Sequence, residues 1–326
     1  MWRRSRGEDM RNYTSAIMTA HVPPHLSLHD EVATALSEGR AVVALETTIV
    51  VHGLPAPQNL EVAAQCEAVI RAAGAVPATI GVVDGRVRIG MDPSTLADLA
   101  DPSRHCDKLS ARDIGFAVAQ GSSGATTVAG TIAAAHYAGI AVMATGGLGG
   151  VHRGASVTYD ESADLTALSR TPVLVVASGV KSILDIAATL ERLDSLGVPV
   201  AGYRTSKFPG FYRADSGFTL DWRLDSPDVA AAAFAAHRHW SSTGFLVANP
   251  VGEDQQLDAT LHDEALAAAL SYAAASGATG KDVTPVVLGE FARYSAGASV
   301  QVNRDLVVSN AAVAAEIAVC LAHLTS

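Results

Sequence analysis

The sequence predicts a single α/β/α domain, a mixed and largely parallel β-sheet covered by helices. Three observations predict it. Short apolar runs alternate with segments of helical spacing along almost the whole chain, the pattern of strands buried on both faces and joined by helices. The 326 residues are 49% hydrophobic and only 17% charged, enough to fill one large core. No low-complexity linker and no internal repeat divides the chain.

In order, AVVALETT (41–48) reads as a buried strand and QNLEVAAQCEAVIRAAG (58–74) as the helix after it. PATIGVVDG (77–85) and RVRIGM (86–91) read as two strands. GFAVAQ (115–120) reads as a strand that leads through GSSGATT into the alanine-rich helix TVAGTIAAAHYAG. IAVMAT (140–145) leads into a glycine-rich loop, and VLVVAS (173–178) leads to Lys181. Ile183, Ile186, Ala187, Leu190 and Leu193 then recur at helical spacing, so Lys181 is expected to open a helix. VPVAGY (198–203) and GFLVANP (244–250) supply two more strands. From about residue 257 the pattern is mostly helical, although an apolar strand is expected after Asn303, where Arg304 and Asp305 stand.

Composition excludes several function classes. A net charge of −10 argues against a nucleic-acid-binding surface. No window approaches the roughly 18 apolar residues of a membrane span, so a soluble protein is expected. Cys66, Cys106 and Cys320 match no metal-ligand spacing and read as buried free thiols in a reducing cytosol. The basic start, MWRRSRGEDMRNYTSAIMTAH, has no apolar core long enough for a signal peptide. Residues 1–25 are expected to form a disordered tail and residues 26–326 the domain.

In α/β folds, ligands sit beyond the carboxyl ends of the strands, and four loops there stand out. In LETTIVVHGLPAPQN (45–59), Glu46 directly follows a strand, with Thr47, Thr48 and His52 near it. A carboxylate in that place serves as an acid, a helix cap or half of an ion pair. In KLSARDIGFAVAQGSSGATTVAGT (108–131), Gly124, Thr126 and Thr127 form either a phosphate cradle or a simple cap. Lys108 either adds charge to that cradle or is solvated. ATGGLGGVHRGASVTYDESADL (144–165) contains neither GxGxxG nor GxxxxGK[ST], so dinucleotide and P-loop readings lose their support. It offers His152 and Arg153, then Asp160, Glu161, Ser162 and Asp164. Asp160 and its neighbours suit a hard cation held largely through water, or the capping of a helix over 161–169. Lys181, in the fourth loop, follows an apolar strand. Burial and the positive end of a helix dipole both disfavour the ammonium and free the amine as a nucleophile; phosphate binding is the rival role. A lysine, an acid, a cation site and a phosphate cradle together suggest Schiff-base chemistry on a sugar phosphate.

LETTIVVHGLPAPQN, PATIGVVDG, GATTVAGT, ATGGLGGVHRG, TYDESADL, SGVKSILD, GVPVAGYRT and VANP, in this order, resemble the pseudouridine-5′-phosphate glycosidase family from about residue 30 to the C-terminus. The resemblance implies an enzyme of hydro-lyase type that reversibly splits pseudouridine 5′-phosphate and water into uracil and ribose 5-phosphate. It also implies a divalent cation, typically Mn²⁺, a homotrimer, a cytoplasmic location and a metabolic link to a pseudouridine kinase. By motif, Lys181 falls at the nucleophile's position, Glu46 at the proton donor's and Asp160 at the metal ligand's. Lys108, Val128, Ser162, Ala163 and Asp164 fall at substrate-binding positions, with Thr126, Thr127, His152, Arg153 and Asn303 as further candidates. The rival enzyme reading is a Schiff-base aldolase acting on a sugar phosphate, which shares Lys181 but needs no uracil pocket. The rival outside catalysis is a nucleotide-binding regulator.

Overall fold

The structure, a computed structural model, describes residues 25–277 and 283–325. The expected tail lies outside the described residues except for His25, whose carbonyl accepts the Val87 N–H at 2.7 Å.

Thirteen strands are described: β1 (Leu26–Leu28), β2 (Val42–Leu45), β3 (Val76–Val83), β4 (Arg86–Ile89), β5 (Asp107–Leu109), β6 (Gly124–Thr126), β7 (Val142–Ala144), β8 (Val151–His152), β9 (Leu174–Ala177), β10 (Leu184–Asp185), β11 (Val200–Tyr203), β12 (Arg223–Leu224) and β13 (Phe245–Ala248). Eleven form one sheet in the order β1-β4-β3-β2-β7-β9-β13-β11-β12, with β6 also on β3 and β5 on β6. From β3 to β12 every pairing is parallel. The antiparallel pairings of this sheet are those of β3 with β4 and β6. The mixed, largely parallel sheet is therefore as the sequence predicts. β3 is long enough to serve both parts: its first half pairs with β2 and its second half turns to β4 and β6.

Every residue of β2, β7, β9 and β13 is buried. Helices must therefore cover both faces of the sheet. One cover is the helix Ala298–Thr325, which lies over β2, β7 and β9 between the helices Gln58–Ala72 and Pro227–His237. The other is the helix Val128–Tyr137, which packs with Ala163–Leu168 and sits over β2 and β3. Each fully buried Val, Leu or Ile contributes about 1.5–3 kcal/mol. A polar group inside so apolar a sheet would lack partners, which confines the chemistry to the strand ends.

Four expectations need correction. Residues 115–120 belong to the helix Ile114–Gln120, not to a strand, and its exposed side includes Phe116. Their run of small and apolar residues is too short for its period to tell a strand from a helix. The stretch after Asn303 is helical too, and Arg304 lies on its outer side, where it meets Gln65 and Glu61 of the neighbouring helix. That same helix, Ala298–Thr325, is long and apolar enough to cross a membrane. Here it is a core helix, and its fully buried Asn310 is bonded to the sheet's loops. Finally, only Cys66 is buried; Cys106 and Cys320 are partly exposed, and all three are free. Desolvation pushes the Cys66 thiol up to about 12 and Cys106 to about 11, so both stay protonated and inert at neutral pH.

Ile80 is fully buried where β3 passes from β2 to β4. Ile80→Ala should therefore cost about 2–5 kcal/mol in denaturant unfolding. A loss below about 1 kcal/mol would contradict this placement of the core.

Candidate active site

The parallel register brings Leu45 opposite Ala144, Ala144 opposite Val176, and Val176 opposite Val247. The residues that follow these strands, Glu46, Thr145, Ser178 and Asn249, therefore emerge side by side. Glu46 and Thr145 reach two adjoining cavities, while Ser178 and Asn249 stay buried behind them on Asn310. The smaller, of about 40 Å³, is lined by His52, Thr145, Gly146, Phe211, Leu288 and Asn303 among others. The larger, of about 160 Å³, is lined by Ser110, Arg112, Val128, His152, Asp160 and Ser162 among others. Glu46, Thr48, Lys108, Lys181 and Thr284 line both, so the acid and both lysines stand where the chambers join.

Glu46 is 8% exposed, and one carboxylate oxygen accepts the Thr145 hydroxyl. Desolvation holds its carboxyl above the usual range, against the opposing pull of Lys181 and the Thr145 hydrogen bond. A raised carboxyl keeps its proton for donation. Its neighbours in the motif are sewn to other strands. The Thr47 hydroxyl donates to the Ile80 carbonyl at 2.8 Å and accepts the Thr126 N–H at 2.9 Å. The Thr48 hydroxyl donates to the Thr126 carbonyl at 2.8 Å. A single π-type turn, Ile49–Gly53, then carries His52 back to the smaller cavity.

Lys181 is half-buried in the loop after β9. Its N–H donates to the Leu148 carbonyl at 3.1 Å, which ties this loop to the glycine-rich loop after β7. The helix expected to begin at Lys181 begins instead at Ile186, capped by the Asp185 carboxylate. Ser182 and Ile183 turn and Leu184–Asp185 pair with β8, so no helix end acts directly on the amine. Apolar spacing alone does not register that interruption.

Ser162, Ala163 and Asp164 reach the larger cavity by a structural route. Ser162 caps the helix Ala163–Leu168, which is shorter than the 161–169 expected. Asp164 is 5% exposed; its two oxygens accept the Ala129 N–H at 2.8 Å and the Gly149 N–H at 2.9 Å. It thus clamps the glycine-rich loop to the start of the helix Val128–Tyr137. Gly149 has no room for a side chain: a Cβ there would lie 2.7 Å from the Asp164 carboxylate and closer still to the Ser162 hydroxyl.

The phosphate cradle expected at Gly124, Thr126 and Thr127 is corrected at two of its three positions. Gly124 lies in β6, where Leu109 leaves no space for a Cβ. Thr126 is fully buried and donates to the Ile80 carbonyl at 2.7 Å. Thr127 remains at the larger cavity as the cap of the helix Val128–Tyr137. Arg153 is not brought to the site; it lines a separate cavity of about 410 Å³ with Asp185, Arg213 and His262. Chain proximity to His152 gave no sign of that separation.

His152 and Asp160 face one another, Nδ1 to Oδ2, at 3.9 Å. Burial lowers the His152 pKa, partly offset by Asp160, so a neutral imidazole is available. Glu161 instead pairs with Arg192 at 2.9 Å. Among the described residues no three His, Cys, Asp or Glu side chains converge. A cation here would take Asp160, with His152 beside it and water for the rest, as hard cations that keep their hydration do. Asn303 is 5% exposed, and its buried Oδ1 has no hydrogen-bond partner, leaving an acceptor for a ligand in the smaller cavity.

Sequence reasoning missed several lining residues. Ser110 and Arg112 carry no local signal, yet both line the larger cavity. Phe211, at φ 65°, packs its ring against Gly147, and nothing local announces it. Asn310 lines neither cavity and holds the loops behind them; its signal was available, one amide in an otherwise small and apolar helical run.

The family described as indigoidine synthase A like protein matches residues 31–320. The chain belongs to this family. A protein from Salinispora tropica named pseudouridine-5′-phosphate glycosidase is 55% identical over 300 residues, covering 91% of this chain and 92% of that one. One of the same name from Frankia alni is 51% identical, covering 89% and 81%. Among solved structures, the prealnumycin C-glycosynthase AlnA in complex with ribulose 5-phosphate superposes with a TM-score of 0.85 at 40% identity, covering 93% of this chain and 98% of that one. An indigoidine synthase A-like protein from Thermotoga maritima gives 0.82 at 32% identity, covering 91% and 96%.

Two outcomes are expected from this geometry. Because the folded Glu46 carboxyl lies above its ordinary value, the fold loses stability as pH rises from the ordinary carboxyl range through the raised one. Glu46→Gln should match the wild type in thermal midpoint at acid pH and exceed it at neutral pH; a variant less stable at neutral pH contradicts the burial argument. Asp164→Ala orphans two buried N–H groups, at about 1–3 kcal/mol each, and its thermal midpoint should fall accordingly.

Proposed function

We propose that this protein is a pseudouridine-5′-phosphate glycosidase, which cleaves the C1′–C5 bond of pseudouridine 5′-phosphate to give uracil and ribose 5-phosphate. The observation that carries the reading is the position of Glu46 and Lys181 at the junction of the two chambers. A C-glycoside spans such a junction, with its sugar phosphate on one side and its base on the other. The larger chamber offers Lys108, Arg112, Ser110 and Thr127 to a phosphate and its sugar. The smaller offers Phe211 and Leu288 to a flat ring and Asn303 to its polar edge. An aldolase would have no use for the second chamber. The named relatives from Salinispora tropica and Frankia alni support the same substrate. The likeness to a C-glycosynthase holding a pentose phosphate supports the bond type.

The leaving atom is carbon, which has no lone pair to protonate, so the two-carboxylate device of ordinary glycosidases does not serve. In the proposed route Glu46 protonates the ring oxygen as the C1′–O bond opens, and the Lys181 amine bonds to C1′. The nitrogen sheds a proton as C5 takes one up, and its freed lone pair forms C1′=N as the C1′–C5 pair leaves with uracil. Water adds to the imine, returns the amine of Lys181 and frees ribose 5-phosphate. Asp164 keeps the glycine-rich loop in place throughout and is not needed as a proton carrier. Asp160, with His152 and water, would hold the divalent cation, which when bound supplies positive charge to a polar substrate group. The homotrimer, the cytoplasmic location and the link to a pseudouridine kinase are proposals that rest on the resemblance.

The wild type should release uracil from pseudouridine 5′-phosphate and form it again from uracil and ribose 5-phosphate. Glu46→Ala should lose about 10²–10⁴-fold in turnover, and near-native turnover in that variant rejects its role. Asp160→Ala should lower turnover and weaken its dependence on Mn²⁺. Full wild-type activity in excess chelator would remove the cation from the account.

A further inference from the structure

Asn310 is fully buried in the helix Ala298–Thr325, and its side chain gathers the loops from three strands. Its Nδ2 lies 2.8 Å from the Thr145 carbonyl, 3.2 Å from the Gly146 carbonyl and 3.1 Å from the Ser178 hydroxyl. Its Oδ1 accepts from Asn249 Nδ2 at 2.9 Å and lies 3.4 Å from the Ser178 hydroxyl. Thr145, Ser178 and Asn249 directly follow β7, β9 and β13. Two of these loops go on to the reactive groups. The hydroxyl of Thr145 donates to Glu46, and Ser178 stands three residues before Lys181, its N–H on the Gly146 carbonyl at 2.9 Å.

We infer that Asn310 is a positioning residue that couples the acid to the amine, fixing Thr145 against Glu46 through one arm and the base of the Lys181 loop through the other. An amide suits this place because it donates and accepts at once, as two carbonyls of the loop after β7, the hydroxyl of the loop after β9 and the Asn249 amide require. Leucine would fill the volume and leave those groups orphaned, and aspartate would set an acceptor against two carbonyls. A buried network of this kind holds geometry only while every member is satisfied. A reacting group displaced by about 1 Å can cost about 10²-fold in rate, so a residue that never touches substrate can govern turnover.

This inference rests on the assignment of Glu46 and Lys181 made above, and the test separates the two. Asn310→Ala, Thr145→Val and Ser178→Ala are compared with the wild type in two readouts. The first is kcat and KM for uracil release against pH. The second needs no substrate: the carboxyl stretch of Glu46, followed against pH by infrared difference between each protein and its own Glu46→Gln form. Lys181, Lys108 and Asp164 also face Glu46, and all three are unchanged in these variants.

Thr145→Val removes a hydrogen bond that favours the carboxylate, so the Glu46 titration and the alkaline limb of kcat should both move to higher pH. Ser178→Ala should lower kcat and leave that titration in place. Asn310→Ala should do both, lower kcat about 10²-fold and change KM less than about threefold. The double variant Asn310→Ala/Thr145→Val should shift Glu46 no further than the larger of the two single shifts.

A folded Asn310→Ala protein with the wild-type Glu46 titration overturns the inference, as does one whose loss lies in KM alone. If Asn310→Ala does not fold, the Thr145 and Ser178 variants decide. Both arms must then behave as stated, and a Glu46 shift in Ser178→Ala or none in Thr145→Val overturns it. A wild type that releases no uracil sinks the proposed function, while the infrared titration still scores the positioning role.

Discussion

A carboxyl group buried at the carboxyl end of a strand that is itself buried on both faces is the constraint on which the rest of the site depends. Removing a carboxylate from water costs several kcal/mol unless protons or partners compensate. Glu46 meets that demand with the Thr145 hydroxyl, the nearby charges of Lys181 and Lys108, and a raised affinity for its own proton. Each compensation has a consequence. Thr145 must be held, so the loop after β7 is fastened to Asn310. Lys181 must lie near, so the loop after β9 is fastened to that same amide and to the Leu148 carbonyl.

The sheet explains why these groups can be so close without disturbing the core. Parallel pairing of β2, β7 and β9 aligns their ends, and the register leaves polar side chains only beyond the last apolar residue. Glycines at 146, 147 and 149 then let the backbone pass close beneath Asn303, Phe211 and Asp164. The two chambers follow from this layout. One is walled by helix starts, hydroxyls and basic side chains, the other by an aromatic ring, a leucine and one amide.

The architecture was legible because its signal is repeated: continuous apolar runs separated by helical spacing give a parallel sheet whatever the details of any one run. Glu46 and Lys181 were legible for a related reason, since each follows a buried strand, whereas Lys108 within β5, His152 within β8 and Asp160 after a short helix were legible only as polar groups in unusual loops. The failures have physical causes. Residues 115–120 carry too little periodicity to separate a short helix from a strand. Lys181 was assigned to a helix because Ile183 and Ile186 keep the spacing across a turn and a two-residue strand. Gly124 and Thr126 resembled an anion cradle, yet one is small because Leu109 packs against it and the other is polar because it bonds the Ile80 carbonyl. Arg153 goes to another cavity through contacts far away in the chain, which no local pattern records, and Asn310 is marked locally only as one amide in an apolar helix, its partners lying equally far away.

The central claim is that Lys181 is a nucleophile toward the sugar and not a surface cation. The most direct measurement is to incubate the protein with ribose 5-phosphate, reduce with borohydride and map the adduct by peptide mass spectrometry. The account predicts one reduced pentose phosphate, covalently attached to Lys181, and its absence from Lys181→Ala. An adduct confined to Lys108, or no adduct on any lysine in a protein that still releases uracil, would contradict it.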